Sequence, residues 1–340
     1  MGDNVFMNKD AMMLFELAKE FNDIKPWQWL GDTDVFGIKF DDMEDIIFCS
    51  VLGCGEQVYG MAIYTGLEGI DSYFKLLDGS YDLQEEVIHI QNALTINFDD
   101  RKDITNEDYS LIKMSGITFR GKKQWPTFRR YEPGFVPWNL SDEELLLMTR
   151  VLEVAKQSVL YYKENPHKAA LMEEGKCCVW DIKSDNSYEE RVIEYNKLEA
   201  ESNLTIEIPI TYNELDIKRL SKRCKHTKDI LEIDSFFHVS PVDDEESIPF
   251  FPAILLIVDK NDELIIGNHM THPYHIAEEF QQYILELITK QGVIPHKAIL
   301  SNPHLFMYLE DLLEGLGVKV ELTKGLELIP MIKKDFFAQW

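Results

Sequence analysis

The sequence predicts an α/β (α+β) protein of two modules, the C-terminal one a mixed sheet flanked by helices. Segments with helical apolar spacing alternate with short apolar runs rich in β-branched and aromatic residues. The alternation is cleanest after residue 252, where continuous apolar strands imply a sheet with parallel pairs covered on at least one face. At 340 residues the chain is also long for a single core, given ~100–200 residues per domain. Residues 163–175, around Asn165-Pro166, form the best linker. The modules are therefore expected over 1–165 (α+β) and 176–340 (α/β), and no internal repeat at a fixed period is present.

In the first module, Asn8 can cap a helix over 9–22, with Met12, Phe15, Ala18 and Phe21 at helical spacing. Pro26 ends it. Strand-like runs follow at 35–40, 46–52 and 58–64, the last two joined by Gly53-Cys54-Gly55-Glu56. That turn reads as a hairpin rather than a phosphate-binding loop, since no helix follows its G-x-G. Residues 66–77 and 82–90 read as helices and 93–98 as a strand. Asn106 caps a short helix that Gly116 stops. Residues 119–138 read as an irregular stretch rich in Pro, Gly and aromatics. Ser141 with Glu144 three residues on is a capping box, and it opens the longest helix, over 142–163.

In the second module, 179–182, 192–195, 204–210 and 231–239 read as strands and 214–222 as a short helix. Asp243-Asp244-Glu245-Glu246 is read as a solvated loop. Strands at 254–258 and 264–266 flank a Lys260-Asn261-Asp262 hairpin. A helix over 276–289 and a strand at 297–300 come next. Asn302 then caps a helix with Pro303 at its first position, ended by Gly315 and Gly317. A strand at 318–322 and a helix over 326–337 close the chain. From 231 onward this is the element order of a ribonuclease-H-like fold.

Sixty acidic residues against 34 basic ones leave a formal charge of −26. Such a field favours solubility and opposes long polyanions, so duplex nucleic acid is disfavoured as a partner. The apolar stretch near 253–258 falls far short of the ~20 residues a membrane span needs, so no membrane partner is expected. The five cysteines are irregularly spaced and form no C-x-x-C pair, and residues 1–4 lack a signal-peptide start. A cytoplasmic protein with reduced thiols is the expectation.

Several runs are distinctive together. They are Lys25-Pro26-Trp27-Gln28-Trp29 with Asp32, Asp34 and Gly37, and Phe119-Arg120-Gly121 through Trp125-Pro126, Phe128-Arg129, Pro133-Gly134 and Pro137-Trp138. A third is the β-α-β-α unit around Ser301-Asn302-Pro303. On these the chain resembles an uncharacterised bacterial family that joins two domains of unknown function, over nearly its whole length. The resemblance implies the two-module division and a bacterial cytosolic setting. It brings no catalytic residues.

Three places could carry chemistry. Residues 119–138 hold Arg120, Lys122, Lys123, Arg129 and Arg130 against one acid, Glu132, with six aromatics between them, including Trp125 and Trp138. Arginine forks hold phosphate or carboxylate at two points and ring faces wall a pocket. Arg120, Lys122, Trp125, Arg129, Arg130 and Trp138 are thus the expected contacts for a small anion. The competing reading puts the rings in the core and the cations in ion pairs. Second, His269, His272 and His275 lie three apart, with Asp259 or Glu278 able to complete a zinc or other divalent-metal site; His238, His296 and His304 stand in neighbouring elements. This is the alternative: a metal-dependent hydrolase or nuclease-like enzyme. Third, the ribonuclease-H-like order would use carboxylates such as Asp234 and Asp335. It has Ser301 and Asn302 where another is wanted, and Asn brings no charge to a magnesium ion. No nucleophile triad is visible, and Asp32 and Asp34 read as turn residues. The reading favoured is a binding or interaction protein with no cofactor, taking a small anionic ligand or a protein partner.

Overall fold

The computed structural model describes residues 8–79, 84–169, 171, 174–185, 187–194, 208–243 and 248–337. The chain forms two compact units, one of 1–133 with 137–205, the other of 134–136 with 206–340.

The first unit is built on a seven-stranded sheet of β1 (Phe36–Phe40), β2 (Ile47–Leu52), β3 (Gly60–Thr65), β4 (Ala93–Asp99), β5 (Trp125–Tyr131), β6 (Lys176–Ile182) and β7 (Tyr188–Glu194). Their order is β5-β4-β3-β2-β1-β6-β7. β1 and β6 are parallel, and every other neighbouring pair is antiparallel. Alternation along each strand feeds two cores. Ile47, Cys49, Val51, Met61, Ile63, Ile96 and Phe98 face the larger one, which is completed by α1 (Asn8–Ile24), α3 (Asn106–Ser115) and α4 (Asp142–Glu164). Phe48, Ala62, Tyr64 and Ala93 face the other way, onto Ile70 and Tyr73 of α2 (Gly66–Asp78). The capping box of α4 forms as expected, with Ser141 Oγ accepting from Glu144 N–H and Glu144 Oε2 accepting from Ser141 N–H.

Two expectations change here. Residues 119–138 are not irregular throughout, because β5 pairs along its length with β4. Pro126 sits in it opposite Phe98, which is tolerated because β5 is an edge strand. The boundary expected at 163–176 precedes the β6–β7 hairpin, which joins the first sheet through β1. A short helical turn, α5 (Pro166–Ala169), lies between α4 and that hairpin. The Gly53 turn is structural: Gly53 has φ +138°, and a Cβ there would lie 2.8 Å from Trp27 and Tyr59.

The second unit holds a five-stranded sheet, β11-β10-β9-β13-β14, from β9 (Ile230–Phe237), β10 (Ala253–Asp259), β11 (Leu264–Thr271), β13 (Lys297–Leu300) and β14 (Lys319–Leu322). Counted along the chain the order is 3-2-1-4-5, the first three strands antiparallel and the last two parallel to the first. β10 is buried at every position. Its Leu255 and Ile257 pack under α7 (Ile276–Gln291) and α8 (Pro303–Gly315), while Leu256 and Val258 meet Ile329 and Ile332 of α9 (Ile329–Phe337). The sheet is therefore covered on both faces. Helix α6 (Glu214–Arg223) buries Ile217 in the first of these cores, and a small ribbon pairs β8 (Lys225–His226) with β12 (Val293–Ile294).

Some expected elements differ. Residues 84–89 form a 3₁₀ turn, while 80–83 lie outside the described residues. Most of the strand expected at 204–210 and of the acidic run at 243–246 also lies outside, and 208–210 is not strand. Among the described residues no helix is long and apolar enough to cross a membrane.

Candidate functional site

Most cations of the 119–138 stretch are already engaged. Arg129, on β5, holds Asp108 of α3 with both arms of its fork, at 2.8 and 2.7 Å, and donates to its neighbour's carbonyl, Phe128 O. Asp108 is also the capping-box residue of α3, accepting from Thr105 N–H at 2.9 Å. Burial pushes the Asp108 carboxyl up, but the Arg129 fork and Thr105 outweigh it and leave it below its ordinary value. Arg130 lies between Glu144 at 3.4 Å and Glu132 at 3.5 Å, and Lys123 reaches Asp99 at 3.9 Å. Ion pairing is the usual fate of cations in an acidic chain, and here it engages Arg129 and Arg130 with carboxylates of the protein itself.

Arg120 and Lys122 remain exposed. Trp125 packs beside Phe119 and Tyr109, both with ring centres at 6.3 Å, and the Arg101 guanidinium lies over Tyr109 (4.0 Å) and Trp125 (5.4 Å). Trp138 is exposed, its backbone bridged to Arg130.

The histidines do not converge. β11 runs on to Thr271, so His269 stands on a strand, where it stacks on Tyr283 and pairs with Glu279 at 2.9 Å. The hydrogen bond to His269 is the main reason the Glu279 carboxyl lies below its ordinary value. His272 Nδ1 accepts from Tyr274 N–H and its ring packs on Phe250, with centres 4.2 Å apart. His275 lies beyond it, 5.8 Å from the His272 ring centre. Asp259 is spent on the hairpin turn, its Oδ1 accepting from Asn261 N–H at 2.8 Å. Among the described residues no group of three or more His, Cys, Asp or Glu is placed to hold a metal ion. The expected set of His269, His272, His275 and Asp259 is thus not gathered: His269 is hydrogen-bonded to Glu279, His272 packs on Phe250 and Asp259 caps a turn.

The carboxylates of the second sheet are engaged as well. Asp234 pairs with Lys333 at 3.2 Å, and burial raises its carboxyl despite that cation. Glu232, 1% exposed, accepts from the N–H groups of Glu327, Leu328 and Ile329 at 2.8–3.2 Å, with Lys260 at 3.7 Å. Asn302 is the cap of α8, accepting from His304 and Leu305 N–H. The Asp335 side chain lies outside the described residues.

Elsewhere in the first unit a cleft of about 470 Å³ opens beside α4, lined by Phe40, Arg150, Tyr161, Trp180, Lys183 and Tyr188 among others. Alternation along β6 aims Trp180 at α4, where its Nε1–H donates to Tyr162 Oη at 3.1 Å and its ring meets Tyr161 edge-on at 5.0 Å. Tyr188, at the start of the edge strand, is 57% exposed and lies 5.1 Å from Trp180. Tyr161 Oη donates to Glu190, which also takes Lys168 at 2.7 Å. The rim is charged but paired: Arg150 lies over Phe40 and holds Asp42 at 2.6 Å, and Asp41 accepts from Ser184 N–H. Nothing in the local sequence signals this cleft, because its aromatic side chains come from four elements, β1, α4, β6 and β7, spread over residues 40 to 188.

Two family models match the sequence. One is a domain of unknown function (DUF7309) over residues 12–179, the other a domain of unknown function (DUF6930) over residues 216–337. A comparison with curated proteins finds no match.

Proposed function

Taking the chain as what those matches make it, a DUF7309 domain joined to a DUF6930 domain, we propose that it is a cytoplasmic binding module whose ligand seat is the aromatic cleft beside α4. The observation that carries this is the cleft's makeup. About 470 Å³ lies within the ~300–1,000 Å³ of small-molecule sites. Phe40, Tyr161, Trp180 and Tyr188 line it together with polar side chains that include Arg150, Lys183 and Ser184. Aromatic side chains around an opening, with Tyr188 the most exposed of them, favour a flat ligand with a polar periphery, such as an aromatic or sugar ring. The five cysteines, all free thiols and four of them buried, support the cytoplasmic setting. The 3-2-1-4-5 strand order supports a ribonuclease-H-like second unit, and the engagement of Glu232 and Asp234 within it supports a binding use of that fold.

A second reading keeps a small anion at the 119–138 segment, resting on exposed Arg120 and Lys122 beside the Arg101–Tyr109–Trp125 stack. One screen separates the two. Nucleosides, aromatic metabolites, short oligosaccharides and inorganic phosphate are added to the full chain, and thermal shift and tryptophan fluorescence are recorded. The cleft reading expects a ring-bearing compound whose affinity falls at least about tenfold in Tyr188→Ala, a loss of ~1.4 kcal/mol, and is unchanged in Arg120→Ala/Lys122→Ala. The reverse pattern transfers the function to the basic segment. No shift with any compound sinks both.

A further inference from the structure

The most basic stretch of this acidic chain lies in the second unit. Residues 217–228 contain Lys218, Arg219, Lys222, Arg223, Lys225 and Lys228 and no acid, in a chain whose formal charge is −26. On α6, Lys218 and Arg219 make pairs with Glu214 and Asp216 in which every side chain is at least two-thirds exposed. Such pairs hold little energy and exchange readily. Lys222, Arg223, Lys225 and Lys228 are exposed and have no carboxylate within ion-pair distance among the described residues.

The fold adds to this run. β8 pairs in parallel with β12, Lys225 N–H donating to Gly292 O and Thr227 N–H to Ile294 O, which brings the end of α7 and its exposed Lys290 alongside. His296 N–H donates to Asp229 O and Lys319 N–H to His296 O, so the start of β14 joins the same edge. Ser221 Oγ donates to Leu316 O, fixing α6 to the end of α8. These elements all meet at the end of the sheet where β9, β13 and β14 begin. The acids near it include Asp229, half-buried, exposed Glu314, and Glu321, which pairs with Lys297 at 2.7 Å and also feels the charge of Lys319. Stabilising a helix C-terminus accounts for Lys222 and Arg223. It does not account for Lys225, Lys228 or Lys319, which lie outside helices.

We propose that the face formed by Lys222, Arg223, Lys225, Lys228, Lys290 and Lys319 docks a short acidic segment of a partner protein. Charge complementarity supplies the attraction and the encounter rate. A short segment is favoured over a long polyanion because the chain's −26 field opposes every charge that extends past the face. Five of the six cations are lysines, compact charges that suit carboxylates in varied geometry more than the two-point grip on phosphate that arginine makes. Leu215, 61% exposed, stands on α6 two turns before Lys222 and offers an apolar contact to the same segment.

The test uses the full chain and a fluorescein-labelled peptide of repeated Glu-Glu-Asp-Leu, read by anisotropy. An uncharged peptide and an oligothymidylate of equal length serve as comparisons. The acidic peptide should bind, and its affinity should fall roughly tenfold between about 50 mM and about 200 mM salt. Lys222→Glu/Lys225→Glu/Lys228→Glu should weaken binding by at least about tenfold with an unchanged circular dichroism spectrum. Lys102→Glu, in the other unit, should leave it unaltered. The proposal is overturned if the acidic peptide does not bind at the lower salt, if the triple variant binds it as well as the parent, or if the oligothymidylate binds more tightly. Because these variants lie outside the aromatic cleft, a negative result here leaves the cleft reading standing.

Discussion

Arg129 gives its guanidinium wholly to the interior of the first unit. Its fork meets Asp108, a side chain 7% exposed, and Asp108 in turn closes the cap of α3. Truncating one partner of such a pair leaves a buried charge without its counterpart, which costs more than the pair contributes. Arg129→Ala is therefore expected to lower unfolding free energy by roughly 2–4 kcal/mol in urea titrations, with no selective effect on any ligand. The same pair gives a pH signature. The Asp108 carboxyl lies below its ordinary value in the folded state. Its stabilisation is then complete above the unfolded value of ~3.9 and is lost as pH falls through the folded one. Asp108→Asn should flatten stability against pH in that acid range, and an unflattened curve would show that the pair is not what holds α3. The cation content of 119–138 could be read from the sequence, but the pairing could not, because Asp108 arrives from a helix that sequence spacing does not relate to β5.

Helix α9 has no Ser, Thr, Asp or Asn cap of its own and is started instead by a carboxylate from the sheet. Glu232 on β9 takes three backbone N–H groups at its entrance, a charge placed at the positive end of a helix and out of water. Charge-assisted hydrogen bonds of this kind are worth ~1.5–3 kcal/mol each at most, and they act jointly here. Glu232→Gln keeps the shape and should cost about 1–2 kcal/mol. Glu232→Ala should cost more and raise amide exchange at residues 327–329 before any other part of the second unit. Equal exchange in both variants would count against the cap. The element α9 itself was legible from its apolar spacing. Its start was not, because the capping group lies nearly a hundred positions upstream.

Across the whole molecule, an excess of 26 negative charges repels itself in the compact state. Melting temperature should therefore rise as sodium chloride increases from about 10 mM to about 300 mM, by several degrees, as screening shortens the reach of that repulsion. Asp234 adds an opposing local effect on pH. Burial holds its carboxyl above the ordinary value, so the folded state binds the proton more readily than the unfolded one. Its penalty on folding is present at neutral pH and is relieved as pH falls through the raised value, so stability should increase on mild acidification. Asp234→Asn should abolish that increase. A melting temperature that falls with salt would place net attraction, not repulsion, in the charge distribution.

The sequence by itself determined the class of the fold and most of its elements. Helical spacing, the Ser141–Glu144 capping box and the Asn302-Pro303 start are local signals, written within one or two turns of chain, and the helices they predict are present. The strand alternation after 252 likewise fixed a mixed sheet between helices. The +6 run at 217–228 is also local, and so is in principle legible. What only the tertiary structure decided were the relations between distant segments. They include the fork of Arg129 on Asp108, the separate fates of three evenly spaced histidines, and the joining of 176–194 to the first sheet. They also include the aromatic cleft made by Phe40, Tyr161, Trp180 and Tyr188. The reason is physical: a propensity or a cap acts over a few residues, whereas a site is defined by which side chains the packed core leaves facing one another.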